Sequence, residues 1–246
     1  MSQYYYDLHV HSCLSPCADD DMTVHNIAGM AALKGLQIVA LTDHNTCGNC
    51  RSFYAACKRQ GIIPIAGMEL TTAEEIHLIC LFEELESAEA FEKEFKAYRL
   101  RVRNRVEIFG HQYYVDENDE VCGEEPDLLP PASALSLEEA CRLAGSFQAF
   151  CYPAHVDRPS NGIINILGDL PESPAFSVIE YSSQTDVAKM EADHPSLRGK
   201  KHVTNSDAHH LWDISEAEHA LELADEPYSS SFVRRQLFRY LREGTS

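Results

Sequence analysis

Short apolar runs that stop on a histidine or a carboxylate recur through this chain, and they constrain its fold more than any other feature. Leu36-Gln37-Ile38-Val39-Ala40-Leu41 closes on Thr42-Asp43-His44-Asn45, and Ile62-Ile63-Pro64-Ile65-Ala66-Gly67 leads to Met68-Glu69. Phe147-Gln148-Ala149-Phe150-Cys151-Tyr152 ends at Pro153-Ala154-His155, and Lys201-His202-Val203-Thr204-Asn205 runs into Ser206-Asp207-Ala208-His209. A continuous apolar run of this length suits a strand buried on both faces, the environment of a parallel sheet covered by helices.

The intervening stretches carry helical signals. They are residues 23–34 with Gly35 as a stop just beyond, 51–60, 87–109 with Phe91, Phe95, Leu100 and Val106 spaced for burial, 137–144 behind Ser136, and 230–241. Residues 4–10, 77–82 and 176–180 read as further strands, and the polar, proline-containing 116–131 as a loop or short hairpin. Repeated strand–helix alternation predicts an α/β fold. The 246 residues fit one α/β barrel of about 250 residues or two small domains, and no long Pro/Gly/Ser linker divides them. One domain over 1–246 is therefore expected.

The first strand carries Asp7-Leu8-His9-Val10-His11. Regular alternation would project Asp7, His9 and His11 to one face and Leu8 and Val10 to the other. Collected over the chain, the ligand-type residues at strand ends are His9, His11, Asp19, His44, Glu69, His77, His155, Asp207 and His209. Mixed imidazole and carboxylate donors suit Zn, Mn or Fe, and one ion cannot use so many, so two or three divalent ions are implied. Asp43 and His44 are adjacent and cannot both face one cavity from a regular strand. His44 is taken as the ligand, with Asp43 and Asp7 orienting imidazoles.

The balance of 20 basic and 39 acidic residues gives a net charge of −19, which should repel long nucleic acids and anionic membranes unless a local cationic centre intervenes. The expected partner is a small phosphorylated substrate or nucleotide held at metals, with no duplex nucleic acid and no membrane; the oligomeric state stays open. No basic segment precedes an apolar core at the N-terminus, and no apolar run is long enough to cross a bilayer, so a cytoplasmic location is expected.

Five segments taken in order, Asp7-Leu8-His9-Val10-His11-Ser12, Leu41-Thr42-Asp43-His44-Asn45, Gly67-Met68-Glu69, Ala154-His155 and Asn205-Ser206-Asp207-Ala208-His209, resemble the motifs of the PHP (polymerase and histidinol phosphatase) family of metal-dependent phosphoesterases. The resemblance implies a distorted (β/α)7 barrel with a trinuclear site at the C-terminal ends of the strands. It would place His9, His11, Glu69 and Asp207 on one metal, with Glu69 bridging to a second that also takes His77 and His155. Asp19, His44 and His209 would hold the third. Asp20 is an alternative to Asp19, and His111 to His77.

Metals a few ångströms apart lower the pKa of a bridging water and neutralise phosphoryl charge, so no Ser or Cys nucleophile is needed. The expected activity is hydrolysis of a phosphoester in a small metabolite or nucleotide, with His9, His11, Glu69, Asp207 and His209 at the reacting centre and Arg158 as a bidentate phosphate contact. Histidinol-phosphate phosphatase, a nuclease for short oligonucleotides, and a non-catalytic metal-binding or redox-sensing module are the alternatives. Cys13, Cys17, Cys47 and Cys50 follow two of the ligand strands and could form a separate thiol site, and Tyr113-Tyr114 suits hairpin packing.

Overall fold

The buried runs become strands in the computed structural model, which describes residues 1–243. In chain order these are β1 (Ser2–Val10), β2 (Ile38–Leu41), β3 (Ile63–Thr71), β4 (His77–Phe82), β5 (Tyr113–Val115), β6 (Val121–Glu124), β7 (Phe150–Pro153), β8 (Val178–Tyr181), β9 (Lys201–Thr204) and β10 (Ala220–Leu223). The helices are α1 (Val24–Leu33), α2 (Cys50–Gln60), α3 (Leu85–Phe95), α4 (Val106–Phe109), α5 (Leu137–Ser146), α6 (Ile163–Leu167), α7 (Val187–Asp193) and α8 (Ser230–Arg242). Local chemistry sets their ends. Ser136 and Glu139 form a reciprocal capping box at the start of α5, and Gly35, at φ +79, takes the left-handed turn that stops the chain after α1.

Six strands pair in the order β10-β1-β2-β3-β4-β7. The pairs β1–β2 and β2–β3 are parallel, whereas β3–β4, β4–β7 and β1–β10 are antiparallel. The antiparallel step at β3–β4 follows from the short 72–76 connection, since a parallel return needs a crossover of about a dozen residues or more. The sheet curls into a half-barrel with helices, and β8 and β9 form a separate parallel pair. Single backbone bonds tie that pair to the sheet, from Val156 N–H to the Glu180 carbonyl at 2.9 Å and from His11 N–H to the Ala208 carbonyl at 3.0 Å. The expected α/β fold is present, and among the described residues its strands do not form one continuous seven-stranded ladder.

Strand alternation divides the apolar side chains into two clusters. Tyr6, Leu8, Ile38, Ile63, Ile65, Ile79, Leu81, Tyr152, Val178 and Val203 fill the inside of the curl, and Val233, Leu237, Phe238 and Leu241 of α8 join them. Each of the α8 side chains contributes about 1.5–3 kcal/mol on burial. Val39, Leu41, Met68, Leu70, Leu78 and Cys80 face outward to α1, α2 and α3. The parity that turns Ile63 and Ile65 inward also turns Glu69 inward, and likewise His77 follows Ile79 and Glu180 follows Val178.

Two sequence expectations change. The β1–β2 register shifts between Asp7 and Val10, so Leu8 packs inside with Tyr4 and Tyr6 while Val10 packs outside. Such a bulge puts consecutive side chains on one face and re-aims those beyond it, which separates Asp7 from the two histidines. The helix expected over 87–109 is broken into α3 and α4, because the backbone between them bonds to another loop: Tyr98 accepts from Ala134, Asn104 donates to Pro126 and Val102 accepts from Leu128. Residues 116–131 include β6, which pairs with β5 in a hairpin containing Tyr113 and Tyr114. No helix among the described residues is long and apolar enough to cross a membrane.

Candidate metal centre

At the inner C-terminal rim, eight of the nine expected ligands converge. Nε2 of His9 and Nε2 of His11 lie 3.1 Å apart, each 3.1 Å from Asp207 Oδ1 and 3.3 Å from an oxygen of Glu69. Glu69 is the hub. Its Oε2 lies 2.9 Å from His44 Nδ1, and its Oε1 lies 2.7 Å from His77 Nδ1 and 3.2 Å from His155 Nε2. His209 stacks on His11 with ring centroids 4.2 Å apart.

The packing fits cations. Donor atoms converge within 4.8 Å of one another in three groups: His9, His11, Glu69 and Asp207; His44, Glu69 and His77; and His11, His44 and His209. Despite the short separations, His44 Nδ1, His77 Nδ1, Glu69 Oε2 and Asp207 Oδ1 are buried without a hydrogen bond. Buried polar atoms are nearly always satisfied, so lone pairs aimed at shared points and left unpaired are what a divalent ion needs. Two of these residues hold unusual backbone, Asp207 at φ +53 and His155 at φ +26. Strained backbone of this kind clusters at binding and catalytic sites.

The surrounding contacts fix the imidazoles. Glu180, buried at the end of β8, accepts from His9 Nδ1 at 2.9 Å and from the His155 backbone N–H at 3.1 Å with Oε1, and from Asn205 Nδ2 at 2.6 Å with Oε2. Ser15 Oγ lies 3.0 Å from His11 Nδ1 and donates to Asp43 Oδ1 at 2.8 Å, while Asp43 also accepts from Ser12. Each arrangement leaves Nε2 of the histidine for the centre. Asp43 thus orients His11 through Ser15, as the sequence reading assigned it. Asp7 does not orient an imidazole. It accepts from the backbone N–H groups of Ser206 and Ser215, so it anchors the loop that carries Asp207. Glu180 was missed by sequence reasoning; its only signal is a carboxylate closing the apolar run 176–180.

Electrostatically the cluster is short of positive charge. Burial opposes protonation of His9, but Asp207, Glu180 and Glu69 push its pKa well above the ordinary value. Burial acts on His11 in the same sense, yet Asp207 and Glu69 raise it to about 9, and Glu69 and Cys17 raise His44 to about 9. Burial would raise Glu69, but His77, His9 and His44 hold it well below the usual carboxylate range. His209 is pushed down to about 3 by burial and by His11, so it is neutral at pH 7.

Some expected residues lie elsewhere. Asp19 is exposed and turns to His210, with Oδ2 2.6 Å from Nδ1; Asp20 is exposed too. Both sit on the solvated part of the loop after β1, where the Asp19 N–H donates to the His209 carbonyl at 3.0 Å. His111 stacks on Tyr113 and pairs with Glu124, so His77 and not His111 reaches Glu69. Arg158 bonds Asp207 Oδ2 through one nitrogen, with its side chain 42% exposed. The four cysteines do not converge: Cys17 is exposed, while Cys13 and Cys50 donate to separate backbone carbonyls. No group of three or more candidate ligands among the described residues contains a cysteine.

The PHP domain family matches residues 7–158. The error-prone DNA polymerase of Symbiobacterium thermophilum is 39% identical over 74 residues, covering 30% of this chain and 7% of the polymerase. Among solved structures, the lesion-specific endonuclease PfuEndoQ from Pyrococcus furiosus aligns over 95% of this chain and 55% of its own, at 19% identity and TM-score 0.63. A protein assigned as a metal-dependent phosphoesterase from Bifidobacterium adolescentis aligns over 96% of both chains, at 16% identity and TM-score 0.62. The chain therefore spans only a small part of the polymerase and about half of the endonuclease.

One expectation is overturned here. The acidic composition was taken to exclude duplex nucleic acid and to leave a small phosphorylated substrate, yet endonuclease Q, which has this fold, is seen in complex with a 27-mer duplex substrate carrying an abasic lesion at the active site. Net charge is a sum over the whole surface, whereas a phosphate entering a metal centre responds to the field at that centre.

Proposed function

The chain belongs to the PHP domain family, and from that premise and the geometry of the centre we propose that it hydrolyses a phosphoester bond in a nucleic-acid strand, using two or three divalent ions of the Zn, Mn or Fe type. The observation that carries the proposal is the convergence of His9, His11, Glu69 and Asp207 around unpaired buried lone pairs. One ion would take those four residues. A second would take Glu69, His44 and His77, with His155 beside it, and a third would take His11, His44 and His209. The domain assignment to 1–246 is part of the same proposal, its last three residues lying outside the described ones.

When bound, such ions supply Lewis acidity toward phosphoryl oxygens and lower the pKa of water. The protein supplies the rest. Glu180 and Ser15 hold the imidazoles in register. Arg158 has guanidinium N–H groups beyond the one spent on Asp207, and they can grip a phosphate oxygen at the rim.

The test is hydrolysis of end-labelled single-stranded and duplex oligonucleotides, intact or carrying an abasic site, by protein loaded with Mn, Zn or Fe. Strand cleavage that disappears on chelation and returns with metal is expected. A metal-loaded protein that leaves every oligonucleotide intact overturns the proposal.

A further inference from the structure

A cleft of about 500 Å³ meets the metal centre at Asp207 and is lined as well by Arg158, Asn205, Ser183, Gln184 and Trp212. Trp212 is the only tryptophan in the chain, and it is 78% exposed. Among the described residues its ring stacks on nothing and its indole N–H has no partner. Its backbone, by contrast, is pinned. Trp212 lies in a short 3-10 turn (Leu211–Asp213) that follows the ligands Asp207 and His209, and Lys34 Nζ donates to the Trp212 carbonyl at 2.8 Å and the Ile214 carbonyl at 2.6 Å.

Large aromatic side chains are seldom left this exposed without a partner. An indole on a fixed turn, lining the same cleft as the Arg158 guanidinium, matches a recurrent device for unpaired nucleic acid: an aromatic face for the base beside a cation for the backbone. The rim around Trp212 also carries Asp213, Glu216 and Glu218, and the Lys34 ammonium there is spent on Glu216 at 3.0 Å as well as on the two carbonyls. Those carboxylates disfavour a second phosphate and leave the uncharged base as the group suited to that end of the cleft. We propose that Trp212 is a substrate-binding residue that stacks the nucleobase next to the scissile phosphate, so that the site takes a nucleotide unit whose base is out of a duplex stack. This rests on the nucleic-acid reading of the metal centre.

Because Trp212 is the sole tryptophan, fluorescence excited selectively at tryptophan, beyond the tyrosine absorption band, reports on this cleft alone. Metal-loaded protein is titrated with a short deoxyadenosine oligonucleotide and with a strand of the same length in which every base is replaced by a tetrahydrofuran spacer, so that phosphates match and bases do not. Saturable quenching by the base-bearing strand is expected, with binding about tenfold tighter than for the baseless strand, the lower part of the range for one base–aromatic stack. In turnover, Trp212→Ala should raise KM about tenfold with kcat little changed, and Trp212→Phe should restore KM. Equal quenching by the two strands, or an unchanged KM in a folded Trp212→Ala protein, overturns the inference. If base-dependent quenching is seen but no oligonucleotide is cleaved, the hydrolytic reading fails while the stacking site stands. If strands are cleaved with no base-dependent quenching, the stacking site fails alone.

Discussion

Replacing Glu180 with Gln is the most informative perturbation of the centre, because it changes charge and hydrogen-bond polarity at nearly constant volume. All three partners of the carboxylate are donors: His9 Nδ1 and the His155 N–H on Oε1, and Asn205 Nδ2 on Oε2. A glutamine keeps one acceptor and turns its NH2 toward one of those donors. If the oxygen stays on His9, the NH2 faces Asn205 Nδ2. Asn205 cannot flip to accommodate it without losing the bond from Leu8 N–H to its Oδ1 at 2.8 Å. A hydrogen bond to an ionised acceptor contributes about 1.5–3 kcal/mol, and loss of the carboxylate also makes the imidazole a poorer donor to metal. Removal of such a partner of a metal-ligating histidine typically costs 10–100-fold in metal affinity, or about 1.4–2.7 kcal/mol. Competition with a calibrated chelator, with circular dichroism as the check on folding, should show Glu180→Gln binding metal at least about tenfold more weakly, with activity restored by excess metal. A folded variant whose metal affinity matches that of the parent refutes the assignment of Glu180 as the group that orients His9.

Other outcomes follow from the same contacts. Asp19→Ala should leave metal stoichiometry unchanged, since Asp19 faces His210 on the surface; loss of an ion, measured by elemental analysis, would return Asp19 to the ligand set. Arg158→Ala should raise KM about tenfold or more while kcat changes less, and a fall in kcat at constant KM would mean that Arg158 acts by holding Asp207. In chelator-treated protein, His11 and His44 have pKa values raised from 6.5 to about 9. Their contribution to stability is therefore complete below about pH 6.5 and is lost as the pH rises through about 9. Thermal unfolding should show that decline in the metal-free protein and a smaller one in the loaded protein, and metal uptake at pH 7 should release protons into a weakly buffered solution. Metal-free stability that rises over this window, or uptake without proton release, would contradict the charge assignment.

Much of the centre was legible in the sequence because its ligands come from strand ends, where alternation and topology fix direction. Glu69 inherits the inward parity of Ile63 and Ile65, and His77 that of Ile79. Features set by tertiary contact were not legible. The bulge in β1 breaks the alternation that would have grouped Asp7 with His9 and His11, and nothing in Asp7-Leu8-His9-Val10-His11 announces it. Three successive aspartates at 19–21 give no sign of which turns inward, and Asp19 does not. Glu180 looks like an ordinary solvated strand end until Asn205 and His9 are placed against it. The antiparallel turn from β3 to β4 was available in the shortness of 72–76, while the break between α3 and α4 depends on the 126–134 loop receiving its backbone bonds. The inference from charge failed for a different reason, since −19 describes the surface as a whole and says little about the rim of the metal centre.

The central claim, that the strand-end histidines and carboxylates are a multinuclear metal site, is tested most directly by an anomalous difference map from crystals grown with Mn(II). At least two peaks are predicted inside the curl, one within bonding distance of His9, His11, Glu69 and Asp207 and another beside His44, Glu69 and His77. A map with no peak among these residues, from protein shown to be folded and exposed to excess metal, would contradict it.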